Sequence, residues 1–251
     1  MKSNMLRDHF TRTQATKKAA AANADPRLSA QVLGRRTGTT MVSQTTPVSD
    51  AISDNEEGGA PKNIGGLALK FWNDSENLSG IQSISHKKEL KAELLPSYLP
   101  WIEGTIAEGV GAQDDMLVKL MVWCLDTHEF KVATDIAEYA FLNDFVMPEP
   151  FKRDVATVFV EQFSDEMLGL EKDVDASNVS AHADLIQRAV EITTRQDMPD
   201  QVRAKLYRVL GDSLKDAKPN EAIDAYEKAI KLDDKVGCKK DLEQLRKATA
   251  E

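Results

Sequence analysis

From about residue 86 onward the apolar residues of this chain recur at intervals of three and four, and no stretch alternates apolar and polar positions as a half-buried strand does. That period commits the body to helices packed on helices, so the expected fold class is all-α. The pattern KKELKAELL is helical up to Pro96 and Pro100, which bend or restart the chain, and Trp101 is expected to anchor that bend in the core. Gly109 and Gly111 punctuate the sequence before Asp114 and Asp115, placed in the first turn of the apolar helix MLVKLMVWCL, where negative charge complements the positive end of the helix dipole. A short Thr-His-Glu turn leads into FKVATDIAEYAFL, and the two helices make an antiparallel hairpin. Beyond Met147-Pro148 the periodicity predicts helices over 151–170, over 181–194 with Ser180 as its cap, and over 201–215.

The charge is divided along the chain. Residues 1–45 hold Lys2, Arg7, Arg12, Lys17, Lys18, Arg27, Arg35 and Arg36 against Asp8 and Asp25, a balance of +6. With a net charge of −9 overall, the remainder carries −15. A basic segment attached to an acidic body is the pattern expected when one part meets phosphate and the rest meets protein. Residues 5–24 contain neither Pro nor Gly and end in an alanine-rich run, so they favour a helix, although its apolar face is thin and a partner is needed to stabilise it. From residue 25 to about residue 66 Ser, Thr, Gly, Pro and Asn dominate, and few large apolar residues are available to offset chain entropy, although LALKFW at 67–72 could dock locally. The expected organisation is therefore a basic helical arm over 1–24, a largely flexible polar linker over 25–85, a helical core and oligomerisation domain over 86–197, and a helical hairpin with a final helix over 198–251.

Bulk composition excludes several classes. Cys124 and Cys238 are the two cysteines, each inside a helical pattern and neither in a paired or metal-like spacing, which fits a reducing compartment. The longest apolar run, Met116 to Leu125, is interrupted by Lys119 and falls short of the roughly 20 residues a membrane span needs. With no signal-like apolar segment at the amino terminus, the sequence reads as cytoplasmic, with no membrane partner.

The segment YRVLGDSLKDAKPNEAIDAYEKAIKLDD has Leu210-Gly211 in a first helix and Ala222, Tyr226 and Ala229 in a second. Small and aromatic residues at those positions let two helices pack closely, as in a tetratricopeptide unit, with Asp234 where that repeat commonly has proline. A single unit cannot bury both of its faces, so it must pack on preceding helices or on another chain.

The stretch from Lys87 to Phe141 contains LLP-x-x-LPW, GAQDD, W-x-LDT and IA-x-YA. In this combination it resembles the terminase small subunit of peduovirus-type temperate phages, a family often labelled an endonuclease subunit. The similarity continues through DMPDQVRAKLYRVLG and covers about residues 86–245, while RDHFTRTQATKKAAAA resembles the family's basic opening. The resemblance implies a viral protein in the host cytoplasm that assembles as a homo-oligomeric ring, binds double-stranded viral DNA at the packaging-initiation site and recruits the terminase large subunit. ATP and Mg²⁺ are then expected in that large-subunit partner, with no cofactor in this chain.

The residues can be weighed for chemistry directly. A metal-dependent nuclease needs several carboxylates on one or two cations. Asp114 and Asp115 are the candidates, but successive helical residues point about 100° apart and need further ligands from elsewhere; stabilising a helix start explains them more simply. His9, His86, His128 and His182 form no HxH, HExxH or Cys-His spacing, and no P-loop occurs, which predicts neither a zinc site nor ATP hydrolysis here. For DNA the best residues are Arg7, Arg12, Lys17, Lys18, Arg35 and Arg36, acting through salt-sensitive phosphate contacts. Trp72, Trp101, Trp123, Phe141, Phe145, Phe159 and Phe163 read as core or subunit-interface anchors rather than base-stacking platforms. Two alternatives stay open: a metal-dependent endonuclease with carboxylates contributed across subunits, and a tetratricopeptide-like adaptor that contacts only proteins.

Overall fold

A computed structural model describes residues 65–149, 151–170 and 179–250. Among them are ten α-helices and two 3-10 turns, with no strand. The first helix, α1 (Gly66–Ser79), buries Phe71 and Leu78. The second, α2 (Ile84–Leu94), begins at Ser83, whose side chain accepts the His86 N–H at 3.3 Å. The helical body therefore starts before the boundary expected at residue 86: LALKFW lies within α1, which is seated by buried Phe71 and Leu78 and by the bonds of Lys70 and Asp74 to Tyr98.

A 3-10 turn over Leu95–Ser97 carries Pro96, and α3 (Leu99–Glu108) follows with Pro100 in its first turn, where a missing N–H costs nothing. The bend is anchored by Tyr98, which is fully buried, and by Ile102. Trp101, expected in that role, is only half-buried. The two residues are three apart in a tightening turn, and the smaller amphipathic ring with a bonded hydroxyl takes the inward position.

Helix α3 ends on Gly109 at φ 64°, a left-handed conformation in which a Cβ would be strained. Helix α4 (Asp115–Asp126) then runs through the core and buries every residue from Leu117 to Leu125 except Lys119. After the turn at His128, α5 (Phe130–Leu142) packs on α4 and buries Ala133, Ala137 and Ala140. These small side chains allow close approach, and burying each of Leu117, Leu120, Leu125 and Ile136 contributes about 1.5–3 kcal/mol.

Asp154 accepts the Thr157 N–H at 2.7 Å and starts α6 (Val155–Leu170), later than the expected 151. This helix packs on α4 and α5 and also on α8 (Asp200–Leu214), so it joins the two halves of the body. Between them a 3-10 turn over Val179–His182 leads into α7 (Ala183–Thr193), whose N-cap position is His182 rather than the expected Ser180. Packing is continuous across residues 197–198, because α8 touches α6 and α7 as well as α9 (Pro219–Leu232).

The pair α8 and α9 is the most extensively packed in the body, and α10 (Lys239–Ala250) closes on α9. Gly211 explains the closeness: a Cβ there would lie 2.4 Å from Cε1 of Tyr226. The Tyr226 hydroxyl donates to Asp212 at 2.8 Å. Cys238 is buried beside them in the connection before α10, not within a helix. None of the helices among the described residues is long and apolar enough to cross a membrane.

Candidate functional site

The motif-rich stretch gathers around the loop between α3 and α4. Gly111 turns there at φ 73°, and its N–H donates to the Tyr139 hydroxyl at 2.8 Å. Tyr139, from IA-x-YA on α5, is buried and meets Phe145 edge to face with centroids 5.6 Å apart. Asn143 continues the same seam by donating its side-chain amide to the Tyr139 carbonyl at 2.8 Å.

Gln113 joins the loop to the one after α5. Its Nε2 donates to the Val146 carbonyl at 3.0 Å and to Asp115 Oδ1 at 2.8 Å, while its Oε1 accepts the Val146 N–H at 3.0 Å. An amide side chain offers both a donor and an acceptor, so it can match a peptide unit as a strand would. Neighbouring Asp114 is the N-cap of α4 and accepts the Leu117 N–H at 3.0 Å. Burial pushes the Asp114 carboxyl above its ordinary value; the Leu117 and Met116 N–H groups pull it back, and the nearby Asp115 charge adds to the rise.

The other motifs are joinery too. Trp123 of W-x-LDT packs against Phe71 at 5.1 Å and Tyr98 at 6.0 Å between centroids. Asp126 pairs with Lys91, and the Thr127 hydroxyl donates to the Trp123 carbonyl at 2.9 Å. From LLP-x-x-LPW, the Tyr98 hydroxyl donates to Asp74 at 2.5 Å and accepts from Lys70 at 3.2 Å. Burial, then the bond to Asp74 and its charge, raise the phenol above its usual range. Asp74 and Lys70, on α1, are partners that periodicity does not reveal; the four-residue spacing of an acid and a base on one helix was the available signal.

Asp114 and Asp115 are thus adjacent, as expected, but their carboxylate oxygens serve the fold, one on the Leu117 N–H and one on the Gln113 amide. Among the described residues no group of three or more His, Cys, Asp or Glu side chains is arranged to hold a metal ion. His128 lies 3.1 Å from Glu166, and the His182 ring stands against Phe130. His86 is exposed. Of the expected aromatic anchors, Trp123, Phe145, Phe159 and Phe163 are buried, while Trp72, Trp101 and Phe141 are half-buried. The expected DNA contacts Arg7, Arg12, Lys17, Lys18, Arg35 and Arg36, and also His9, lie outside the described residues.

Comparison with known proteins decides the family. Residues 68–201 match the family model of the phage small terminase subunit, a span that runs from α1 into α8 and contains the whole Gln113 seam. The chain belongs to that family. It is 35% identical over 182 residues to the "Terminase, endonuclease subunit" of Escherichia phage P2, covering 72% of each chain. No solved structure matches. As a small terminase subunit it takes part in phage genome packaging.

Proposed function

We propose that this small terminase subunit is a DNA-recognition and assembly component that carries no catalytic centre of its own. It binds viral DNA at the packaging-initiation site through its basic amino-terminal segment, assembles as a ring in the host cytoplasm and recruits the large ATPase and nuclease subunit. The observation behind this reading is the use made of the motif acids: Asp114 caps α4, Asp115 accepts from Gln113, and Asp126 pairs with Lys91. That leaves the concentrated positive charge of residues 1–45 as the natural phosphate-binding element. A ring multiplies weak arms into avidity without strong individual contacts.

The test is a salt series of duplex DNA binding by the full chain and by a variant with Arg7, Arg12, Lys17, Lys18, Arg35 and Arg36 changed to alanine. The slope of log affinity against log salt should fall by about 0.9 for each phosphate that the variant no longer neutralises. An unchanged slope sinks the arm as the DNA-binding element. A native mass measurement checks assembly, and a monomer at micromolar concentration counts against the ring.

A second reading is kept because the relative from phage P2 is named an endonuclease subunit. In it, Asp114 and Asp115 would be completed by carboxylates of another subunit around Mg²⁺. Cleavage of cognate DNA by the isolated chain, lost in Asp115→Asn with assembly intact, would establish that reading and displace the first.

A further inference from the structure

Among the ten described helices, α2 alone buries none of its residues. Leu90 and Leu94 are half-buried on the face they share with Lys87 and Lys91, and Ile84 at the start of the helix is 75% exposed. Apolar burial therefore holds α2 only weakly. Charge crosses from it to the rest of the body instead. Lys88 pairs with Glu166 of α6 at 2.6 Å, and the other Glu166 oxygen lies 3.1 Å from His128 Nε2. Lys91 pairs with Asp126 at the end of α4, and its Nζ lies 6.0 Å from the centre of the Trp123 ring. The Lys88 and Glu166 side chains are 35% and 21% exposed, so dissolved ions can reach that pair.

Helix α1 shares this arrangement. It buries Phe71 and Leu78, and Phe71 lies against Trp123, which is otherwise covered from this side by Lys91 and by the edge of Tyr98. Asp74 and Lys70 of α1 hold the Tyr98 hydroxyl. After Leu94 the chain enters the 3-10 turn that carries Pro96, whose missing N–H interrupts the helical ladder between α2 and α3 and makes a natural hinge.

We propose that residues 66–94 form an ion-latched strap over Trp123, which opens as a unit while α3–α10 stay folded. Opening separates the two ion pairs and uncovers the Trp123 ring, the Tyr98 hydroxyl and the carboxylates of Asp126 and Glu166 together. That face of aromatic and acidic groups is closed in the latched state. Because separated charges are screened by salt and the latch is ionic, the open fraction rises with ionic strength. The proposal does not depend on the DNA-binding role given above.

Amide hydrogen exchange of the full chain, read by mass spectrometry, tests it. Amides of 66–94 should exchange roughly tenfold or more faster than those of 117–125 and 204–214, because local opening is easier than global unfolding. Raising salt should speed exchange in 66–94 alone. Lys88→Met/Lys91→Met should speed that exchange about fivefold or more and blunt its salt response, as expected for losing two partly exposed pairs. The charge-matched Lys240→Met/Lys247→Met should leave 66–94 unchanged. Slow exchange lost in Lys91→Glu should return in Lys91→Glu/Asp126→Lys, an outcome that simple damage to the helix would not give. Protection at 204–214 reports that each variant is folded. Exchange of 66–94 in step with 117–125, no response to salt, or failure of the charge-swapped variant to restore protection overturns the proposal.

Discussion

Gln113 and Val146 form a reciprocal pair in which the side-chain amide of one occupies both backbone hydrogen-bonding groups of the other, at 3.0 Å in each direction. No strand is present among the described residues, so this pair supplies what a ladder rung would: it fixes the loop that starts α4 against the loop that ends α5. Gln113→Ala should lower stability by about 1–2 kcal/mol, because it removes three hydrogen bonds near solvent, two to Val146 and one to Asp115. Gln113→Glu should cost at least as much, because it removes the donor to Val146 and sets a like charge beside Asp115. Chemical denaturation of both variants checks this, and wild-type midpoints would show that the pair is incidental.

Gly211 is fixed by its neighbour rather than by its own backbone, since it sits in regular helix beneath the Tyr226 ring. Gly211→Ala should destabilise the protein by about 1–3 kcal/mol through overpacking, despite alanine's better helix propensity. Combining it with Tyr226→Leu should give a smaller loss than the two single losses added together, as expected of residues sharing one space. Additive losses would place the strain elsewhere.

The Asp114 carboxyl is raised in the folded protein chiefly by burial. A raised acid means that the native state holds its proton more tightly than the unfolded chain. This contribution to stability is fullest at low pH and declines as pH climbs from the ordinary carboxylate value through the raised one. Asp114→Asn removes the titration and keeps an oxygen for the Leu117 N–H. The variant should lose this decline across the range between the ordinary carboxylate value and the raised one, while Asp114→Ala should cost about 1 kcal/mol at neutral pH by losing the cap. Denaturation midpoints across that range, compared among the three proteins, provide the check; parallel curves for wild type and the asparagine variant would rule it out.

Periodicity made the helices legible because one apolar stripe per helix is enough to state the period. It could not reveal contacts made by polar side chains across loops. Gln113 was in plain view inside GAQDD, yet nothing local says that its partner is a backbone unit at Val146. The bend at Tyr98 shows the same limit. Trp101 has the greater apolar area, but Asp74 and Lys70 on α1 favour the tyrosine through its hydroxyl. Those two residues lie in a stretch whose upstream composition is that of a linker. The tight crossing of α8 and α9 was readable in advance, because a glycine and an aromatic at fixed offsets carry a steric meaning that survives without knowledge of the partner chain.

The two cysteines offer a probe of how tightly each half of the body is closed. Cys124 is buried in α4 and its thiol is pushed up to about 12, mainly by burial and then by the Glu129 charge. Cys238 is pushed up to about 11, first by burial and then by Asp212. Neither forms a disulfide. The thiolate is the reactive species, so at pH 8 both groups should resist a disulfide reagent in the native protein and react promptly after unfolding. The order in mild denaturant is informative. Cys238 sits in a connection beside the final helix, whereas Cys124 lies in the last turn of the central, buried helix α4, so fraying of α10 should expose Cys238 first. Quantifying labelling at each site by mass spectrometry tests this, and simultaneous labelling of both would indicate that α10 opens only with the whole body.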